Sequence, residues 1–381
     1  MIRRGLASLL KRSKKSILLL GPRQTGKSTL IRSLEPDLAI NLADESMYLA
    51  FARNPDELRQ RLAANRVNTV FIDEVQRLPS LLNTIQAIID EGRPPIQFYL
   101  TGSSARKLRR GHANLLPGRI HTYQLGPLVT SELAYRLDTR QALETGTLPG
   151  IWTEPQAQER RKTLQSYAAT YLKEEIQAEA LTRNLEGFSR FLFVLAAEAG
   201  KFLDLSKLAS AAGIPRQSAF RYFEILEDTL IVRRCDAFRK SERRRLIQSP
   251  RFFFFDTGVL NGLLNNFTAS GDRVGALFEH LVFNQLIHGA AAKDLDLRIS
   301  SYRTEHGAEV DFIIELKKEV IAIEAKASAN IGPSDLRGLR SFAEYAGKKH
   351  RTCIAYLGSA RKILDGVELL PWQLLLMDLG L

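Results

Sequence analysis

The pattern of apolar and polar residues divides the chain into short buried strands and amphipathic helices. Apolar runs at residues 16–20, 69–72 and 96–100 are typical of parallel strands that are covered on both faces. Apolar residues three and four positions apart predict helices between them, as over residues 75–90. Strands that alternate with helices favour an α/β fold built on a parallel sheet.

The first of these strands runs directly into a phosphate-binding motif. Residues 21–28 read GPRQTGKS, which fits GxxxxGK[ST] between a strand and a helix. Glycines let the backbone close around phosphates, whose charge then faces main-chain N–H groups. Lys27 is expected to reach the β- and γ-phosphates, and the Ser28 hydroxyl to bind Mg²⁺. The predicted nucleotide-binding residues of this P-loop are Gly21, Pro22, Arg23, Gln24, Thr25, Gly26, Lys27, Ser28 and Thr29.

Polar residues at the ends of two later strands extend this site. Asp73 can support Mg²⁺ and Glu74 can activate a water as general base, and both follow the apolar run 69–72. A pair of acids that caps the following helix is the alternative. Thr101 and Ser103 follow the strand 96–100, and Ser103 is predicted to contact the nucleotide. A plain turn at the strand end also explains them.

Together these residues resemble the AAA+ class of P-loop ATPases, with the likeness covering residues 15–130. The resemblance implies ATP and Mg²⁺ as cofactors. It also implies that a neighbouring subunit supplies an arginine to the γ-phosphate, for which Arg119 is the best positional match. Arg106, Arg109 and Arg110 compete with it, and a surface or DNA-contacting arginine is the alternative. Such a finger implies self-association into a complete or partial ring, for instance a hexamer.

The distribution of charge indicates possible partners, because the net charge of +12 is concentrated in two blocks. The first fifteen residues hold six Lys and Arg and no acid, and residues 233–251 hold eight against two acids. Such blocks favour DNA or an anionic membrane as partner, with a solvated surface run as the alternative. No stretch approaches the ~20 apolar residues of a membrane span. Two distant cysteines fit a reducing compartment, so we expect a cytoplasmic protein without a membrane partner.

The second basic block follows a pattern typical of a helix-turn-helix. Residues 150–200 have helical spacing and predict a connector. Two helices then flank a turn at residues 213–215, and two strands, at 230–232 and 251–255, enclose the basic segment 233–245. This order resembles a winged helix, a module that binds DNA or contacts other proteins. The predicted DNA-contacting residues are Arg216, Gln217, Arg221, Arg243, Arg244 and Arg245.

The last part of the chain brings two acids and a lysine together. A two- or four-residue turn centred between Lys317 and Lys318 pairs Asp311 with Glu324, and Lys326 projects from the same face. Two facing carboxylates repel unless a cation lies between them, so the pattern predicts Mg²⁺ or Mn²⁺. Lys326 can then position a water or stabilise phosphorane charge, which is the logic of phosphodiester cleavage.

These residues resemble the PD-(D/E)xK nuclease motif, with Val310 at the position of the proline. Glu279 matches the glutamate that many such nucleases carry on the preceding helix, so the implied metal ligands are Glu279, Asp311 and Glu324. Two alternatives stay open. One is an exposed strand pair with a lysine–acid contact, and the other is an inactive nuclease-like fold.

The whole order resembles a prokaryotic family of AAA+ proteins of poorly defined function. It implies a P-loop AAA+ core at residues 1–149, a helical connector at 150–200, a winged helix at 201–257 and a small mixed α/β restriction-endonuclease-like domain at 258–381. The predicted function is ATP hydrolysis that drives DNA binding or remodelling, for instance on branched or broken DNA. The alternative is an ATP-switched regulator that binds DNA or protein and carries an inactive nuclease-like domain.

Overall fold

The computed structural model describes residues 2–92, 95–103, 116–171, 184–238, 249–347 and 350–381. It divides into two compact units. Unit 1 comprises Met1–Gly126 with Asp228–Leu230, and unit 2 comprises Pro127–Glu227 with Ile231–Leu381. The boundaries expected at residues 149, 200 and 257 all fall within unit 2, so the four-domain organisation stays a prediction.

Unit 1 is built on a parallel sheet. Its strands are β1 (Ser16–Leu20), β2 (Leu38–Asn41), β3 (Thr69–Asp73), β4 (Gln97–Gly102) and β5 (Ile120–Gln124). They are arranged in the order β2-β3-β4-β1-β5, and every residue of β1, which lies between β4 and β5, is buried. Its helices are α1 (Ala7–Arg12), α2 (Lys27–Arg32), α3 (Glu45–Arg53), α4 (Glu57–Ala64) and α5 (Leu81–Glu91). A parallel sheet flanked by helices confirms the α/β prediction for this unit.

The strand order brings the polar strand ends together. β4 lies between β1 and β3, with Leu20 opposite Gly102 and Ile72 opposite Leu100. Because all three strands are parallel, the P-loop after β1, Asp73 at the end of β3 and the end of β4 meet at one edge.

The segment after β3 differs from the single helix expected over residues 75–90. A 3₁₀ turn at Val75–Arg77 comes first, and α5 begins only at Leu81. Leu78 precedes Pro79, and the proline ring disfavours helical backbone in the residue before it. The break in the expected helix therefore follows from the proline at position 79.

Unit 2 is built on a mixed sheet. Its strands are β6 (Val232–Ala237), β7 (Arg251–Phe254), β8 (Leu297–Arg303), β9 (Glu309–Leu316), β10 (Glu319–Lys326), β11 (Arg351–Tyr356), β12 (Lys362–Leu364) and β13 (Val367–Pro371). They are arranged in the order β12-β13-β11-β10-β9-β8-β6-β7. The hairpin β6–β7 therefore shares one sheet with the acid-bearing strands β9 and β10.

Helices cover this sheet and fill most of the remaining chain of unit 2. They are α6 (Thr139–Thr145), α7 (Pro149–Trp152), α8 (Ala157–Ser166), α9 (Leu185–Ala197), α10 (Leu205–Ala212), α11 (Arg216–Asp228), α12 (Thr257–Leu264), α13 (Val274–Ala292), α14 (Arg337–Ala346) and α15 (Trp372–Leu379). A buried core extends from Leu137 to Leu381, in which the ring of Phe253 stacks on that of Phe283 at 4.2 Å. Among the described residues, no helix has both the length and the apolar character that crossing a membrane requires.

Two helices form on either side of the turn at residues 213–215, as expected, but the hairpin after them is shifted. Asp204 caps the N-terminus of α10, and Gly213, with φ of 61°, ends it before α11. The strand expected at residues 230–232 instead begins at Val232 and runs to Ala237, through residues assigned to the basic loop. Val232 and Cys235 are the buried residues of β6, and the strand pairs with β7 through residues 232–235 and with β8 through Asp236 and Ala237.

Candidate functional site

The P-loop of unit 1 has a strained backbone shaped by small residues. Gly26 has φ of 88° and Gln24 has φ of 63°, both in the left-handed region. A Cβ on Gly21 would lie 2.2 Å from the carbonyl oxygen of Leu125, so only glycine fits. Such turns direct successive N–H groups into one concavity, which is an anion-binding arrangement.

Two side chains of the loop donate hydrogen bonds to its own main chain. Lys27 is 5% exposed, and its Nζ donates to the carbonyl oxygens of Gly21 and Pro22, each at 2.9 Å. Thr25 is fully buried, and its Oγ1 donates to the carbonyl oxygen of Pro22 at 2.9 Å. Lys27 is therefore held at the loop where phosphates are expected.

Arg4 supports the same loop, a role that no local sequence pattern indicates. Its Nη1 donates to the carbonyl oxygen of Thr25 at 2.5 Å and its Nη2 to that of Gly126 at 2.7 Å. Lys15, from the same basic block, donates to the carbonyl oxygen of Gly118 at 2.8 Å. At least two of the six N-terminal cations thus serve the fold of unit 1 itself.

Asp73 and Ser28 lie together at the P-loop, as predicted. Ser28 Oγ donates to Asp73 Oδ1 at 3.0 Å, and Thr101 Oγ1 donates to the same oxygen. Asp73 is 6% exposed. A hydroxyl and a carboxylate oxygen beside the loop are the ligands that Mg²⁺ prefers next to nucleotide phosphates, so these residues fit that ion.

Glu74 is positioned by a residue that the sequence analysis missed. Its backbone is left-handed, with φ of 57°, and its N–H donates to Thr101 Oγ1 at 3.3 Å. Gln76 is 5% exposed, and its Nε2 donates to Glu74 Oε2 and to Ser103 Oγ, the latter at 3.2 Å. Ser103 is thus near the predicted general base. No local pattern marks Gln76, because its place depends on the bend at Glu74.

Arg119 lies far from the P-loop of its own chain. Residue Ser16 at the start of β1 pairs with Ile120 at the start of β5, so Arg119 is at the opposite edge of the sheet. Its Nε and Nη2 bind the two carboxylate oxygens of Asp90 at 2.5 and 2.9 Å. The arginine-finger role stays a prediction. The competing residues Arg106, Arg109 and Arg110 lie outside the described residues.

The predicted recognition helix α11 presents its polar face to solvent. Arg216, Gln217 and Arg221 are exposed, and Phe220 between them is 42% exposed. The guanidinium of Arg216 lies 5.4 Å from the centroid of the Phe220 ring. Arg243, Arg244 and Arg245 lie outside the described residues.

Of the three arginines of the second basic block that the structure describes, Arg234 is exposed, Arg233 is half-buried and Arg251 is buried. Arg233 and Arg234 belong to β6, and Arg234 Nε binds Glu227 Oε1 at 2.6 Å. Arg251 is 4% exposed. Arg233 and Arg234 belong to a strand because β6 extends further into the block than the hydrophobic pattern indicated, whereas Arg251 begins β7, where a strand was expected.

The acidic residues of unit 2 meet in the expected register. Glu319 pairs with Leu316 and Ile323 with Phe312, which continues to Asp311 opposite Glu324. Lys317 and Lys318, with φ of 50° and 70°, form the two-residue turn. The register prediction is confirmed.

Protein donors already occupy the oxygens of these two carboxylates. Asp311 Oδ2 accepts from the N–H of Ala325 at 2.9 Å. Glu324 Oε1 accepts from Lys326 Nζ at 2.8 Å, and its Oε2 accepts from the N–H of Asp311 at 3.4 Å. Lys326 thus lies beside Glu324 as predicted, as its partner in an ion pair.

An unpredicted residue, Arg251, lies among the acids. Its Nη1 binds Asp311 Oδ1 at 3.1 Å and its Nη2 binds Glu279 Oε2. Nη1 also lies 3.8 Å from Glu309 Oε1. Arg251 follows the basic loop in sequence, and this is why composition assigned it to the DNA-contacting block.

The predicted metal ligands Glu279, Asp311 and Glu324 contact Arg251 and Lys326, and their metal-binding role stays a prediction. Within the part of the chain that the structure describes, no group of three or more His, Cys, Asp or Glu side chains is placed to hold a metal ion. Burial raises the pKa of Glu279 to about 7 and that of Glu324 to about 8, and the charge of Asp311 adds to both shifts. Arg251 and Lys326 therefore compensate the charge of these acids.

Three family models match the chain in succession. Residues 13–134 match an AAA domain, residues 136–270 match a domain of unknown function (DUF8612), and residues 274–375 match another (DUF4143). With the geometry of the P-loop, the first match supports a nucleotide-binding P-loop ATPase domain of the AAA type. The winged-helix and nuclease-like interpretations stay predictions.

Two relatives are similar to the chain over most of its length. Uncharacterized proteins of Mycobacterium bovis and Mycobacterium tuberculosis are each 27% identical over 378 residues, which is 97% of this chain and 83% of the relative. The likeness extends over both units.

Likenesses to solved structures are weak. A structure of Pif1 helicases at forked double-stranded DNA has 13% identity and a TM-score of 0.24, over 42% of this chain and 49% of that one. The replication initiator DnaA, bound to AMPPCP and single-stranded DNA, has 12% identity and a TM-score of 0.27, over 58% and 85%. At these scores neither structure carries an argument about function.

Proposed function

We propose that this chain hydrolyses ATP with Mg²⁺ and uses that hydrolysis to bind or remodel DNA. The observation that carries the first half is the 3.0 Å contact between Ser28 and Asp73 at the P-loop, with Glu74 next in sequence. A hydroxyl and a carboxylate for the metal, a lysine for the phosphates and a second carboxylate for the water form a complete hydrolytic set.

Each residue has one task in this proposal. Lys27 binds the β- and γ-phosphates, and Ser28 and Asp73 hold Mg²⁺, which neutralises phosphate charge. Glu74 accepts a proton from the attacking water. Gln76 is the positioning residue, because its amide holds the Glu74 carboxylate beside Ser103.

The second half of the proposal rests on the surface of α11. Arg216 and Arg221 are exposed near its start with Gln217 and Phe220, which combines cations for phosphates with an aromatic ring that can stack on a base. The position after a tight turn at Gly213 is that of a recognition helix.

We also propose that Arg119 acts on the ATP of a second copy of this chain, in an oligomer such as a hexameric ring. Its distance from its own P-loop is compatible with action in trans. Its pair with Asp90 is partly exposed, so exchange for a phosphate partner costs little.

The test measures ATP turnover with duplex, forked and single-stranded DNA. We expect at least one DNA form to raise turnover several-fold in the wild type. Glu74→Gln should retain ATP binding and lose turnover, since the amide cannot accept the proton. Turnover that ignores every DNA form would remove the DNA-driven half and leave the ATPase.

A second measurement addresses the DNA surface directly. Replacing Arg216 and Arg221 by Ala should weaken DNA binding and reduce the slope of log affinity against log salt by up to about 2. Arg140→Ala is the matched control, because that side chain is 85% exposed in the same unit but lies on α6. Equal affinity and slope in all three proteins would place the DNA site elsewhere.

The second candidate is an ATP-switched regulator that carries an inactive nuclease-like domain. The arginine between Glu279 and Asp311 favours the inactive part of this alternative. In that case ATP binding would change DNA or protein affinity, whereas DNA would leave the rate of hydrolysis unchanged.

A further inference from the structure

Arg251 is the cation at the centre of the acidic site in unit 2. Its side chain is 5% exposed and bridges Asp311, at 3.1 Å, and Glu279. Glu309 faces the same guanidinium at 3.8 Å. A planar guanidinium has five donors, so one side chain can satisfy several carboxylates at once.

The other oxygens of the two paired acids face donors of the protein. The second oxygen of Asp311 accepts from a main-chain N–H, and both oxygens of Glu324 accept from protein donors. A divalent cation needs several oxygen atoms that converge on one point, and it carries water or substrate in the remaining positions. Here each of these carboxylate oxygens accepts a hydrogen bond from a different nitrogen of the protein instead.

Arg251 is also fixed from behind. Its Nε donates to the carbonyl oxygen of Gly200 at 2.6 Å, and its guanidinium lies 5.2 Å from the ring centroid of Phe253. A metal ion that displaced it would leave a buried guanidinium without its carboxylate partners, which is costly. The position is therefore held by packing as well as by charge.

We propose that Arg251 takes the place of the divalent cation, so that the acidic site of unit 2 binds no metal ion and cleaves no DNA. The guanidinium neutralises the facing carboxylates but offers no coordination position for water or phosphate. The site is then a buried ion-pair network with the residue pattern of a nuclease centre. This inference is independent of ATP hydrolysis and DNA binding.

The test is a titration with Mn²⁺, followed by the loss of the free-ion signal in electron paramagnetic resonance, on the full chain without nucleotide. Four proteins are compared: wild type, Asp311→Asn, Arg251→Met and the double variant. None of them changes unit 1, so any Mn²⁺ bound there is common to all four. Methionine keeps an unbranched chain of similar length and removes the charge.

We expect wild type and Asp311→Asn to bind the same number of Mn²⁺ ions. Arg251→Met should bind one more per chain, and the double variant should lose it again. An additional ion in wild type that disappears with Asp311→Asn would overturn the proposal, as would an Arg251→Met variant that folds and binds no additional ion.

Folding of each variant is followed by circular dichroism. If Arg251→Met does not fold, wild type and Asp311→Asn still decide the question. Plasmid nicking gives a second readout for this pair. Equal background rates support the proposal, and nicking by wild type that Asp311→Asn abolishes contradicts it.

Discussion

Each unit holds a buried cation, Lys27 in unit 1 and Arg251 in unit 2, and the two cations have different partners. Lys27 donates to main-chain carbonyl oxygens of its own loop at 2.9 Å. Arg251 donates to the carboxylates of Asp311 and Glu279. Carbonyl oxygens are neutral acceptors, whereas carboxylates neutralise the cation that they bind.

The orientation of the main-chain N–H groups also differs between the two sites. The P-loop bends through left-handed residues, which turns N–H groups toward an incoming anion. In unit 2 the N–H groups of Asp311 and Ala325 already point at the carboxylates of the strand pair. Residue types at a suitable spacing are therefore common to both sites, which differ in backbone conformation and in the hydrogen-bond partners of the cation.

The strongest test of this comparison removes one charged group from each site. Lys27→Ala should lower ATP turnover by about 100- to 1,000-fold, because a phosphate-binding charge in a preformed site is lost. Asp311→Asn should leave turnover within about twofold of wild type. Steady-state hydrolysis assays on both variants, with melting curves to confirm folding, measure the contrast.

Turnover in Lys27→Ala that equals the wild-type rate would place hydrolysis outside the P-loop. A loss in Asp311→Asn as large as that in Lys27→Ala would mean that the acidic network and the ATPase act together. Lys11→Ala is the matched control for the lysine, since it belongs to the basic N-terminal block and is exposed.

The parts of the molecule that could be predicted from sequence depend on neighbours along the chain. The P-loop occupies residues 21–28, and its geometry follows from glycines at fixed positions in a single strand–loop–helix segment. The register that pairs Asp311 with Glu324 follows from a turn of two residues, which leaves one alignment for the strands.

The parts that sequence reasoning missed depend on distant contacts. Arg251 is 60 residues from Asp311 and 28 from Glu279, so nothing in its own segment marks it as buried. Arg4 is 122 residues from Gly126. Both arginines belong to basic blocks of the sequence, and composition alone does not distinguish a buried cation from one that is available to a partner.

A second prediction concerns the titration of a buried histidine next to the acidic network of unit 2. His280 follows Glu279 on α13, is 1% exposed and bonds through Nε2 to the carbonyl oxygen of Phe254 at 2.7 Å. Burial lowers its pKa from 6.5 to about 4. Below pH 6.5 this histidine binds a proton in the unfolded chain but not in the folded chain. The contribution of His280 to the free energy of unfolding is therefore fully present above pH 6.5 and is lost as the pH falls toward 4.

The full shift corresponds to roughly 3 kcal/mol of unfolding free energy. His280→Gln should remove this loss, since glutamine can donate to the same carbonyl and does not titrate. Urea unfolding from pH 7 to 4.5 should show a steeper decline in wild type than in the variant. His306→Gln is the control, because that ring is exposed. Parallel curves for wild type and His280→Gln would mean that protons reach this histidine in the folded state.

The smallest expected effect separates positioning from binding within unit 1. Gln76 holds Glu74 and Ser103 through one amide nitrogen, and its Oε1 is buried with no hydrogen-bond partner among the described residues. Gln76→Leu keeps the shape and removes the donor. A carboxylate that is less well oriented should lower kcat by about 3- to 10-fold, and KM for ATP should stay unchanged because Lys27 and Ser28 are untouched.

Ser103→Ala removes the other partner of the same amide and should reduce kcat less, since Glu74 keeps its hydrogen bond. A rise in KM with constant kcat in Gln76→Leu would show that Gln76 acts on nucleotide binding. A fall in kcat alone places Gln76 with Glu74 in the hydrolytic set.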